Sequence, residues 1–546
     1  MTMNYVPPQN KQTIVRLTGA VYTPRSVAEA VVRTVAEDLP ARQLTVLEPS
    51  VGDGAFLEQL CRLMPCHDHV AIDLDAEIVE KLLVQACGWP RPPSLLSGDF
   101  IEYACRAIEA GSPKFDLVIG NPPFIRKHNF SDTFKDSLTK LSTLLNFPLS
   151  NLKNSWAAFL VGASKLVSDD GVVAFVLPYE IITVAYGHAV LNEMLKIFER
   201  IDLYVSDEKA FPQIDQDAVI FVGRRKASKA SGLFVQRIRN MTNLKAADEH
   251  PIVKDANRPI SLDLNAFLID RETMPILREL QDSLPVFSKM ASSSPGVVTG
   301  ANDFFILKHA DVVSRGLQAH VVPILKKQTL GGRSPLFTAD DFEEVRRSEP
   351  CELFCIRGDV EDLDQMARSY VAVGAETEYP QRYKCRKRKN WYEVRLVKSA
   401  PGFFFKRSHG YPRICVNEAN VHITDTAYGI HPKPGYSVRG LCFSFYNSIT
   451  MLFAETNGRF YGGGVLELSP NELKGLPIIY HEPTDEEFKD FLEVHRGAGN
   501  DPKPILDFGD NWVKEKGLLK MPEIENVRRA WFAVRSHRLR HSNRAN

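Results

Sequence analysis

The chain has 546 residues, 44% hydrophobic and 25% charged, a globular composition too long for one compact core, so two or three domains are expected. Lys plus Arg and Asp plus Glu stand at 67 each, which excludes attraction of a polyanion by net charge and leaves only uneven local charge. Nine scattered cysteines without a CxxC pair point to reduced thiols and to no metal site. No apolar run reaches the roughly 18 residues of a membrane span, and MTMNYVPPQNKQ lacks the apolar core of a secretory signal. A cytoplasmic protein with no membrane association is the expectation.

GAVYTPRSVAEAVVRTVAEDL predicts a first helix, with Thr23 as its cap, Pro24 in its first turn and Val27, Ala28, Val31, Val32 and Val35 on one face. A strand at 44–47 follows, then a turn containing Gly52 and Gly54, then a second helix. HVAIDLDAEIVEKLL repeats the pattern, its strand at 70–72 ending in acids. DLVIG is a strand halted by Asn121, Pro122 and Pro123, since neither proline can donate to a ladder. NSWAAFLVGASKLV is a helix and GVVAFVLP a continuous apolar strand. IDLYV and DAVIFVGRR are joined by DEKAFPQIDQ with no crossover helix, which predicts an antiparallel hairpin at the sheet edge. Continuous apolar strands alternating with helices specify an α/β domain with a mostly parallel, covered sheet.

Ligands of such sheets bind beyond the C-terminal ends of the strands. Glu48, Gly52 and Gly54 follow the first strand, where glycines allow close approach to the backbone; a plain tight turn has the same pattern. Asp73, after the second strand, can accept from both hydroxyls of a ribose or simply cap the strand end. Asp99 and Phe100 suit an adenine amino group and ring, or else a helix cap and a core phenylalanine. Asn121, Pro122 and Phe124 place an amide, a rigid carbonyl and a ring on one loop.

In their order along the chain, YTP, VLEPSVGDGAF, AIDLD, GDF, GNPPF and KAFPQ resemble motifs X, I, II, III, IV and VIII of the gamma-class adenine-N6 DNA methyltransferases of type II restriction-modification systems, over roughly residues 15–225. The resemblance implies a class I methyltransferase (Rossmann-like) fold. By it, Thr23, Glu48, Asp73, Asp99 and Phe100, with the loop of Gly52 and Gly54, contact S-adenosylmethionine. Asn121, Pro122 and Phe124 handle a flipped-out base, and Phe211 is a second stacking aromatic; otherwise Phe211 is a hydrophobic loop anchor. Phe124 stands where family members often carry Tyr, which keeps the ring and loses a hydroxyl. Ser50 and Val51 also depart from the usual loop.

In the second half, residues 381–413 hold eleven Lys or Arg against one acid, Glu393, with aromatics interleaved. Arg386, Lys387, Arg388, Lys389, Trp391, Lys406 and Arg407 are the expected contacts to double-stranded DNA, against the alternative of a solvated charge run. VVTGANDFFIL (297–307) and NGRFYGGGVLELSPNELKGLPI (457–478) resemble parts of the target-recognition region of larger members. The expected organisation is a catalytic domain over 1–235, an α+β target-recognition domain over 236–500 and a basic helical tail over 501–546.

The function this implies is site-specific adenine-N6 methylation of bacterial or archaeal DNA, acting as a monomer, with a cognate restriction endonuclease as a separate partner. The competing readings are an RNA adenine or a protein glutamine as substrate, or a DNA-binding subunit of a larger restriction or anti-phage complex.

Overall fold

The computed structural model describes residues 22–540 except 66, 90, 113, 150–151, 209–216, 247, 253–263, 265, 327–333, 462 and 500. Two units divide it, one formed by residues 1–268 with 460–464 and 539–546, the other by 269–459 with 465–538. The first unit runs past the expected boundary at 235 because two further strands extend its sheet.

In that unit α1 (Arg25–Ala36) precedes β1 (Thr45–Glu48), α2 (Ala55–Leu63), β2 (Asp68–Asp73), α3 (Ala76–Ala86), β3 (Ser94–Ser97), α4 (Phe100–Glu109) and β4 (Phe115–Gly120). Then come α5 (Asp132–Leu145), α6 (Trp156–Leu166), β5 (Val167–Pro178), α7 (Glu180–Thr183), α8 (Ala185–Met194), β6 (Arg200–Ser206), β7 (Ala218–Arg224), β8 (Gly232–Ile238) and β9 (Asp248–Ile252). The strand order is β3-β2-β1-β4-β5-β7-β6-β8-β9. Strands β1 to β5 are mutually parallel, and β7 runs antiparallel to both β5 and β6. This is the class I methyltransferase sheet.

Alternation along the strands builds two cores. Val46, Leu117 and Ile119 pack with Val27, Val31 and Phe56 on one face, whereas Leu47 and Val118 pack with Phe100, Trp156 and Phe175 on the other. Helix α6 is buried almost all round, which its uniformly apolar sequence requires. The expected edge hairpin of β6 and β7 is antiparallel but lies inside the sheet. Strand β7 is buried along its whole length and needs a partner on each side, and β8 joins β6 in parallel before β9 closes the edge.

The second unit contains a five-stranded sheet ordered Ala291–Pro295, Ala427–Pro432, Gly402–Phe405, Ile414–Asn417, Leu336–Phe337, and helices that include Asp485–Ala498, Lys503–Glu515 and Met521–Leu539. Phe403, Phe404 and Phe405 are buried in this sheet. The basic tail is helical, and two of its cations face inward: Arg528 pairs with Asp510, and Arg538 with Glu455, both side chains of the latter pair at zero exposure.

Candidate cofactor and substrate site

The parallel strands bring Glu48, Asp73, Asp99 and Asn121 to one edge, at or just beyond the C-terminal ends of β1, β2, β3 and β4. The order of the sheet reverses between β1 and β4, and a crevice opens at such a switch point.

Glu48 is 2% exposed. Burial, with Asp73 and Asp53 nearby, raises its carboxyl well above the usual range, while a backbone hydrogen bond from Leu57 opposes the shift. Its Oε2 has no hydrogen-bond partner among the described residues. A buried acceptor without a donor is costly unless something else donates to it. Next to it the turn bends through Gly52 and Gly54, with φ of +52° and +80°. A Cβ on Gly54 would stand 2.8 Å from Leu82 Cδ2, and the left-handed backbone there favours glycine. Asp73 holds this turn through Gly52 N at 2.8 Å and accepts from Asp75 N with its other oxygen. Each carboxylate oxygen retains acceptor capacity.

Asp99 caps α4, accepting from Ile101 and Glu102 N through Oδ1, and burial raises its pKa. Phe100 is 2% exposed, its ring 5.0 Å from that of Phe159. The Phe100 side chain, on the first residue of α4, packs in the core of the unit.

Thr23 is not the cap of α1, which begins after Pro24 without a side-chain cap. Its hydroxyl instead accepts from Asn121 Nδ2 at 3.0 Å, and Ser50 Oγ donates to the Asn121 carbonyl at 3.0 Å. Three segments far apart in sequence thus meet at Asn121. Pro122 and Phe124 are buried, Phe124 at 7% exposure in the core. Ser155, which the sequence reading passed over, locks this loop: its hydroxyl donates to Pro123 O and accepts from Ile125 N, and Ser155 N donates to Ile125 O. On either side of it, Asn154 Nδ2 and Trp156 Nε1 both donate to Glu180 Oε1 at 2.8 Å. A lone Ser before an apolar helix carries no signal of such a role. Phe211 lies outside the described residues. Beyond it, Asp217 pairs with Arg540 of the same unit, whose guanidinium also lies over the Tyr179 ring.

The structure separates the seven expected DNA contacts. Arg388 donates to the carbonyls of Val298, Thr299 and Trp391, binding its own turn to the VVTGANDFF segment. Trp391 packs against Phe304 and Phe305, and Lys389 pairs with Asp359. Lys406 donates to Asp425 O and covers the Tyr428 ring, and Arg407 pairs with Glu467. Arg386 and Lys387 are exposed.

The nine-stranded sheet and the crowded edge beyond β1 to β4 define a class I methyltransferase. Residues 94–211 match the model of the Eco57I restriction-modification methylase, and residues 263–513 that of the C-terminal domain of the type II methyltransferase M.Eco57I. The type II methyltransferase M.AccI of Acinetobacter calcoaceticus is 24% identical over 84% of this chain and 84% of its own length. M.XamI of Xanthomonas campestris pv. amaranthicola is 23% identical over 84% and 85%. Among solved structures, the DrdV–DNA complex (TM-score 0.54, 12% identity) is matched over 89% of this chain and 58% of that chain. A nuclease-deletion mutant of the Type ISP enzyme LlaGI with a DNA substrate mimic (TM-score 0.51, 12% identity) is matched over 88% and 47%. The two models and these relatives are all of type II restriction-modification methyltransferases, to which the chain is similar over most of its length.

Fold and family imply S-adenosylmethionine as cofactor, and the residues present suit it. A buried acceptor on Glu48, a glycine turn open to close approach and the carboxylates of Asp73 and Asp99 form an acceptor-rich edge for a cationic nucleoside.

Proposed function

We propose that the chain is a DNA adenine-N6 methyltransferase, protecting host DNA against a separate restriction endonuclease. The observation that carries this reading is the position of Asn121, held by Thr23 and Ser50 at the strand end beside β1. An exocyclic adenine amine is a weak nucleophile because its lone pair is delocalised into the ring. Thr23 takes the Nδ2 side of the Asn121 amide, which orients the amide oxygen away from Thr23 and toward a substrate. That oxygen and the Pro122 carbonyl accept the two amine hydrogens, draw the nitrogen toward tetrahedral geometry and free its lone pair. Ser155 keeps the loop in place while this happens. S-adenosylmethionine supplies a methyl already activated on a sulfonium. Positioning is therefore the main catalytic contribution asked of the protein.

Glu48, Asp73 and Asp99 bind the cofactor in this reading, and Phe124 and Phe211 offer rings to a base out of its stack, which offsets part of an unstacking cost of a few kcal/mol. The second unit reads the sequence. Transfer of labelled methyl should occur to duplex DNA in preference to RNA or protein, and Asn121→Ala should abolish it while cofactor binding persists. Labelling of RNA or protein alone, or normal turnover by the variant, would refute the proposal.

A further inference from the structure

Among the described residues only two aromatic side chains are strongly exposed, Tyr22 and Tyr383, the latter at 62%. Three cations surround the Tyr383 ring, with Lys384 Nζ and Arg386 Cζ each 5.8 Å and Lys387 Nζ 6.0 Å from its centroid. The neighbouring basic residues of the stretch are committed within the unit: Arg382 pairs with Glu378, Lys389 with Asp359, and Arg388 with backbone carbonyls. No acid pairs with Lys384, Arg386 or Lys387 among the described residues.

The turn that carries them is anchored from below. Cys385 is fully buried with its Sγ 3.8 Å from Thr299 O. Gly300, with φ of +79°, passes so close that a Cβ there would lie 2.7 Å from Lys384 Cβ. Arg386 N and Arg388 N donate back along the turn to Arg382 O and Cys385 O. A ring and three like charges are thus held out in water by a rigid base, a preorganised arrangement whose mutual repulsion an anionic partner relieves.

We infer that Tyr383, Lys384, Arg386 and Lys387 form a contact surface for duplex DNA, the cations on phosphates and the ring against a base or sugar face; this rests on the proposed DNA substrate. The polyanion neutralises the cations, and an aromatic face among them favours nucleic acid over an acidic protein surface.

The full-length chain binding a labelled duplex, followed by fluorescence anisotropy across salt concentrations, tests it. Combining Lys384→Gln, Arg386→Gln and Lys387→Gln should reduce the slope of log affinity against log salt by about 2 to 3, near 0.9 per phosphate lost. Lys389→Gln, already paired in the parent, should change it by less than about 1. Tyr383→Ala should weaken binding about tenfold, and Tyr383→Phe should restore it. All four side chains are exposed, so thermal melting should match the parent. If the parent binds duplex and the triple variant keeps its slope and affinity, this surface is wrong and the DNA reading stands. If the parent binds no duplex, both fall.

Discussion

Glu48 is a carboxylate set against its own solvation, and its behaviour with pH follows. Its folded pKa is raised, so only the folded state resists ionisation. Stability associated with the neutral form is full below the ordinary carboxylate range and is lost as pH rises through the raised value. Glu48→Gln should flatten the fall of Tm across that interval and weaken cofactor affinity by about tenfold, as loss of one hydrogen bond predicts. Calorimetric melts and cofactor titrations measure both; a parent-like pH profile and affinity would remove Glu48 from the cofactor's partners. Residue identities at this edge were legible in the sequence because each polar side chain follows a strand. Their partners were not. Thr23 reads locally as a helix cap, and only the fold reveals that its hydroxyl meets Asn121, 98 residues away. Phe100 reads equally as cofactor contact or core, and its ring is buried.

The loop after β4 is an element whose rigidity is borrowed. Two prolines fix two φ angles, but its seat depends on Ser155 at the entry to α6. Ser155→Ala leaves the Pro123 carbonyl and the Ile125 N–H without that partner, a cost of about 1–3 kcal/mol. We expect a lower Tm and a fall in kcat that exceeds any change in cofactor affinity; an unchanged kcat would show that the loop holds its form without this clamp. The strands β1, β2, β4 and β5 could be read from short apolar runs ending in polar residues. The insertion of β7 between β5 and β6 could not, because strand order is decided by long-range burial that local pattern does not encode. For the same reason the expected boundary at 235 cuts through β8 and leaves out β9, which is short and polar.

Over the whole molecule, composition promised a basic surface in the second half, and the structure draws some of those cations into contacts of its own. Arg528 and Arg538 are structural partners of buried acids, and Arg388 ties two segments together. Charge counts in a sequence do not separate a cation that meets a phosphate from one that meets a buried glutamate. Buried histidines add to the sensitivity to acid. Burial, and then Arg413, lowers His495 to about 3, and burial, with His67 close by, lowers His69 to about 4. Each folded pKa lies below its unfolded value, so the stability tied to the neutral rings is present above about 6.5 and is lost as pH falls toward these values. His495 packs its ring 4.6 Å from Tyr446 and 4.5 Å from Phe491, a setting that His495→Phe should keep. That variant should lose less Tm than the parent between pH 6.5 and 4, and an identical acid profile would assign the sensitivity elsewhere.

In the proposed function Asn121 presents an adenine amine for methylation in DNA. Mass spectrometry of nucleosides from DNA incubated with the purified chain and S-adenosylmethionine tests it most directly. N6-methyl-2′-deoxyadenosine should be produced by the parent and absent with Asn121→Ala. Methylation of cytosine instead, or equal N6-methylation by the variant, would contradict it.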